Sequence, residues 1–129
     1  GEAQLAELLQ PYVRLAQDHD VTVVEVPRFE EAAITVHSDA GWLVQRALGV
    51  LVPNAIAAGA QHLAFRVSSG RDGFAIEVED DAGGFDLAHV PAGRGLDGLQ
   101  RDLGPGGMTC VRVDGGSRVC VMIPQEAGA

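Results

Sequence analysis

Long apolar runs are missing from this sequence. None approaches the roughly 18 residues that a membrane-spanning helix requires, so no direct membrane contact is expected of this segment. No basic stretch leads into an apolar one near the start, so no signal peptide is visible. Basic residues are scarce, 9 against 18 acidic ones, for a net charge of −9. That balance argues against nucleic acid as a partner, because phosphate backbones are held by a basic footprint. It still allows a small phosphate-bearing ligand held by one metal ion and by backbone N–H groups. Cysteine is nearly absent. Cys110 and Cys120 are too few for a disulfide scaffold and lack zinc-site spacing. A reducing cytosol, and hence a cytoplasmic location, is the expectation. Internal repeats and low-complexity segments are also missing.

What is present is enough for one core. The 129 residues are 47% hydrophobic, too apolar for a disordered chain and of a length that suits one domain. Both ends, Gly1-Glu2-Ala3 and Gln125-Glu126-Ala127-Gly128-Ala129, read as cut points in a longer protein. Residues 3–18 place Leu5, Leu8, Leu9, Tyr12, Val13 and Ala16 at helical spacing. Val21 to Val26 reads as a strand closed by Pro27, and Ala32 to Val36 as a second short strand. Ser38 and Asp39 are N-cap candidates for a long apolar helix over 40–59, with Gly59 near its end.

The second half alternates. Leu63, Phe65 and Val67 are the apolar positions of one run, and Phe74, Ile76 and Val78 those of the next. Residues 69–73 turn between them as a hairpin. Val111 and Val113 oppose Val119, Val121 and Ile123 across Asp114-Gly115-Gly116. Strands with one apolar and one polar face form a sheet covered on one side, with the helices as cover. The expected architecture is a two-layer α/β sandwich, with a mixed, mostly antiparallel sheet of about five strands under about three helices. From Asp80 to Met108 glycine is too dense for regular structure, apart from a short helix from about Leu96 to Leu103.

Chemistry concentrates at a few positions. Asp80 shares the parity of Phe74, Ile76 and Val78, so its carboxylate leaves the strand end on the helix side. There it needs a donor, for which an adenine amino group is well suited. A strand-end turn is the plainer role. Asn54 follows Val50 and Leu51 on the apolar face of its helix, where a short amide can hold Mg²⁺ or phosphate. Gly93-Arg94-Gly95-Leu96 leads into a helix start whose free N–H groups can receive phosphate oxygens. Cys110 and Cys120 lie equally far from Gly115, which makes them cross-strand neighbours within bonding reach. The cytosol would keep them as two thiols.

The order of these parts is a helix with Asn54, a hairpin, Asp80-x-x-Gly83-Gly84-Phe85, Gly93-x-Gly95-Leu96-x-Gly98-Leu99, then two strands. It resembles the ATPase domain of the gyrase, Hsp90, histidine kinase and MutL superfamily, a Bergerat-type fold, over nearly the whole chain. Leu96-Asp97-Gly98-Leu99-Gln100-Arg101 is similar to a run in NarL-partnered, DesK-like sensor kinases. The resemblance implies ATP and Mg²⁺ as ligands. Asn54 would hold the metal, Asp80 would read the adenine amino group, and Gly84 would shape the wall under the base. Gly93, Gly95 and Leu96 would form the lid and phosphate contact. Ser117 would serve adenine through a water, where the family has Gly-Thr. The implied partners are a helical dimerisation and phosphoacceptor domain of the same protein and a response regulator. The chain would be the C-terminal piece of a sensor kinase.

Departures from the pattern are specific. Val50 stands where the family has a Glu four residues before the Asn, so no catalytic residue is assigned. Ala57 and Ala58 replace a basic residue and a histidine, and Ala82 replaces the first glycine of the Asp-x-Gly-x-Gly motif. The lid, roughly 86–94, is short. None of His19, His37, His62 and His89 sits in a phosphoacceptor-type helix. A degenerate module acting through domain contacts, and an anti-sigma-factor serine kinase, are the rival expectations.

Overall fold

The structure is a computed structural model and describes residues 2–82 and 95–125. The chain opens with β1 (Glu2–Gln4), α1 (Leu5–Asp18), β2 (Thr22–Glu25), α2 (Phe29–Ala32) and β3 (Thr35–His37). It continues with α3 (Ser38–Ala57), β4 (His62–Gly70), β5 (Gly73–Asp80), α4 (Leu96–Leu103), β6 (Met108–Val113) and β7 (Gly116–Pro124). Five strands form the main sheet in the order β2-β4-β5-β7-β6. Only the β2–β4 pair is parallel within it. β1 and β3 make a separate two-stranded antiparallel ribbon.

One contiguous core lies between the sheet and the helices. Leu5, Leu9, Val13 and Ala16 from α1 meet Val44, Leu48, Leu51 and Val52 from α3. Against them stand Leu63, Phe65, Ile76, Val78, Val119, Val121 and Ile123 from the strands, each buried. These are the alternate strand positions expected from the sequence, which is the two-layer α/β sandwich. α4 adds Leu96 and Leu99, a three-residue spacing that puts both side chains on its buried face. α3 runs through Pro53 without interruption and ends at Ala57, capped by Ala58 and followed by Gly59, whose φ is +91°. The Gly59 N–H bonds the Ile56 carbonyl and the Ala60 N–H that of Ala55, a pairing that closes a helix around a left-handed glycine.

Several local expectations are corrected. The first helix begins at Leu5, not residue 3, because Ala3 and Gln4 pair with Val36 and Thr35. The Leu5 N–H is then taken by the Ile34 carbonyl. Ala32 belongs to the single turn of α2, and the strand starts only at Thr35. Glu31 stabilises that turn by accepting the Arg28 N–H at 2.8 Å. His37, rather than Ser38 or Asp39, occupies the N-cap of α3. The β4–β5 connection is two residues, Arg71-Asp72, since Gly70 and Gly73 already pair. A side chain on Gly73 would run into the Ile123 carbonyl, so only glycine lets β7 pass there.

The last hairpin holds the most consequential correction. Val113 pairs with Gly116, so the turn is Asp114-Gly115, with Gly115 at φ +78°. Cys110 therefore opposes Val119, and Cys120 opposes Thr109. A strand turns successive side chains to opposite faces. Cys110 thus packs with the core, and Cys120 lies on the outer face of the sheet. The two are therefore not cross-strand neighbours. Val111 likewise faces outward, 54% exposed, against the inward position expected of it, while Met108 is buried opposite Val121.

Candidate functional site

β5 ends at Asp80, which lies between Leu63 of β4 and Ser117 of β7. Both neighbours are fully buried, and Ser117 is the one buried polar side chain among the described residues. Its hydroxyl donates to Asp80 Oδ2 at 3.1 Å. The Ala82 N–H donates to Asp80 Oδ1 at 2.9 Å, an Asx-type turn. Asp80 therefore does form the strand-end turn, and its carboxylate also faces the helix side beside Ser117. A carboxylate has about four acceptor positions, so two protein donors leave it able to accept from a ligand amino group.

Gly116 explains how β7 comes so close. A side chain there would run into the Asp80 carbonyl, with the Asp81 Cα only 2.7 Å away. The next residue is then pressed against Asp80, and Ser is small enough to fit.

Asp81, next in the chain, is a functional neighbour that no sequence motif marks. Its Oδ1 accepts the Gln61 N–H at 2.8 Å and the His62 N–H at 3.0 Å. Its Oδ2 lies 2.6 Å from His62 Nδ1. Partial burial works against ionisation of this carboxyl. The hydrogen bonds from the His62 ring and from the His62 and Gln61 N–H groups outweigh it and lower the carboxyl to about 2. Two acidic residues in a row at a strand end, where one must turn inward and one outward, are the only sequence trace of this arrangement.

The second half of the site is the α3–α4 contact. Gly95 precedes α4 with φ +83°, and a Cβ there would stand 3.2 Å from Val50 Cγ2. Val50 is 8% exposed and belongs to the core, as does Leu96. One turn earlier on α3, Arg46 Nε donates to Asp102 Oδ2 at 3.0 Å, and its guanidinium covers Gly98. Asn54 is half-buried one turn after Val50. Thus the structure brings Val50, Gly95 and Leu96 together, and separately Asp80 and Ser117. Gly84 and Gly93 lie outside the described residues, as does the lid. Ala82 packs against the core edge. A groove of about 590 Å³ opens at the other end of the sheet, along Arg71, Asp72, Pro105 and Met122, and among the described residues none of the predicted site lines it.

No family model matches this chain, and no curated protein matches it by sequence. Solved structures do. The catalytic domain of histidine kinase ThkA is similar over 98% of this chain and 95% of that one, with a TM-score of 0.78 at 15% identity. This chain has the fold of a histidine kinase catalytic domain. The ATP binding domain of PrrB from Mycobacterium tuberculosis is similar over 98% of this chain and 97% of that one, with a TM-score of 0.64 at 18% identity. The cytoplasmic segment of histidine kinase QseC is similar over 95% and 76%, with a TM-score of 0.59 at 22% identity. In this kinase-type fold no described helix is long and apolar enough to cross a membrane.

Proposed function

We propose that this chain is the ATP-binding catalytic domain of a two-component sensor histidine kinase, of the NarL-partnered, DesK-like kind. The carrying observation is the paired Asp80 and Ser117, a carboxylate and a hydroxyl on the helix side of a kinase-type sheet. The adenine amino group donates to Asp80, with Ser117 and a water completing the contact and Gly84 under the base. The triphosphate would run toward the start of α4, to be received by backbone N–H groups of Gly95 and Leu96 and, on the resemblance, of Gly93.

Among the described residues no three His, Cys, Asp or Glu side chains gather where a metal ion could sit. Mg²⁺ would be held by Asn54 together with the phosphates, and would supply charge neutralisation for phosphoryl transfer. The γ-phosphate goes to a histidine on a helical dimerisation domain of the same protein, for relay to a response regulator. Titration of the domain with Mg·ATP and Mg·ADP tests this reading. Saturable binding that Asp80→Ala removes supports it, and silence at millimolar nucleotide overturns it.

A second reading keeps the fold and drops the catalysis. It is favoured by Val50, which is buried against Gly95 where the family has its acid. Val50 can neither accept a proton nor orient a nucleophile, and loss of such a group typically costs about 10²–10⁴-fold in rate. In the full-length protein, Val50→Glu separates the two readings. A large gain in autophosphorylation marks a weakened kinase, and none marks a module that works through contacts.

A further inference from the structure

The Asp81 clamp reaches beyond its own turn. β4 and β5 pair up to Leu63 and Asp80, and past that pair nothing in the ladder holds the two chains together. Asp81 does so by side chain, gathering the Gln61 and His62 N–H groups and the His62 ring. The Gln61 carbonyl in turn accepts the Thr22 N–H at 2.9 Å, so the same clamp fixes the start of edge strand β2. On the other side β7 bears on the Asp80–Asp81 backbone through Gly116. The peptide between Asp80 and Asp81 is therefore held from both flanks, and its direction sets where the Asp80 carboxylate points.

We propose that Asp81, with His62, is a positioning residue for the nucleotide site: by tying the end of β5 to the start of β4 it holds Asp80 at the angle needed to receive a base amino group. The proposal rests on the reading of Asp80 as the base-reading carboxylate. Asp81 itself touches no ligand. Its outward carboxylate acts through the backbone that its neighbour shares.

Two readouts test this on the intact chain. The first is affinity for Mg·ADP. Asp81→Ala lowers it tenfold or more, and Asp81→Asn, which keeps an oxygen for the Gln61 and His62 N–H groups, recovers most of the loss. Gln125→Ala, which cuts the tie of Gln125 to Thr35 and His37, destabilises a remote ribbon and leaves the affinity alone. The second needs no nucleotide. The Ala82 amide, bonded to Asp80, exchanges its hydrogen at least tenfold faster in Asp81→Ala, but not in Gln125→Ala. Unchanged Ala82 exchange in Asp81→Ala overturns the positioning role whether or not nucleotide binds. A wild-type chain that ignores Mg·ADP overturns the functional reading, and the Ala82 exchange still decides what Asp81 does.

Discussion

Val50 closes over Gly95, leaving 3.2 Å between its Cγ2 and the place where a Cβ on Gly95 would stand. Two strains therefore meet in Gly95→Ala, a left-handed φ of +83° and this contact. The first costs about 1 kcal/mol; the second adds to it only while Val50 is present. Urea unfolding of a double-mutant cycle with Val50→Ala reads the difference. Coupling of about 0.5 kcal/mol or more is expected, and strict additivity contradicts the contact.

The same burial bears on Val50→Glu. A carboxylate placed at a site 8% exposed must pull free toward solvent or remain buried without a donor. Thermal unfolding should record a loss of about 1–3 kcal/mol, which Gly95 and the start of α4 would share. If Val50→Glu is as stable as wild type, the α3 face near Gly95 is more open than described.

Ser117→Ala removes the hydroxyl that donates to Asp80 Oδ2 and leaves a partly buried carboxylate oxygen short of one donor. The expected loss is about 1–2 kcal/mol in stability. Affinity for Mg·ADP should also fall, since the orientation of Asp80 loosens. Unchanged affinity with reduced stability would assign Ser117 to the fold alone.

Asp81 gives the protein an acid-sensitive limb. Its carboxyl sits at about 2 in the folded chain against an ordinary 3.8. A lowered folded-state value means that the stabilisation is fully present above the unfolded value, and is lost as pH falls through the folded one. Denaturant midpoints measured from pH 5 downward should fall between about pH 4 and pH 2, and Asp81→Asn should flatten that part of the slope. An identical acid limb in the two proteins would contradict the clamp.

How much of this could be read from residues alone follows from periodicity. Strand parity put Asp80 on the helix side because the alternation Phe74, Ile76, Val78 is unbroken up to it. Register across the last hairpin was less legible. Choosing Gly115 as the midpoint, rather than the Asp114-Gly115 pair, shifts the pairing by one residue and turns Val111 and Cys110 to the wrong face. β1 was hidden because Ala3 and Gln4 fit a helix as well as a strand, and only the tertiary pairing with β3 decides. The Asp81 clamp and the close pass of Gly116 are products of packing between segments far apart in sequence. No local pattern announces them.

The cysteines follow from that register. Cys110 and Cys120 occupy opposite faces of the β6–β7 hairpin, so the folded chain cannot join them without moving backbone. Burial, and then the Glu77 carboxylate, push the Cys120 thiol up. Thiol titration of air-exposed protein after denaturation should count both, and Cys120 should alkylate slowly in the native state. A native intramolecular disulfide by mass spectrometry would refute the register.

The central claim is that a nucleotide docks on Asp80. Calorimetric titration of the wild-type chain and of Asp80→Ala with Mg·ADP tests it most directly. Saturable binding by the wild type, lost in a folded Asp80→Ala, is the predicted result; equal binding by the two, or none by the wild type at millimolar ligand, would contradict it.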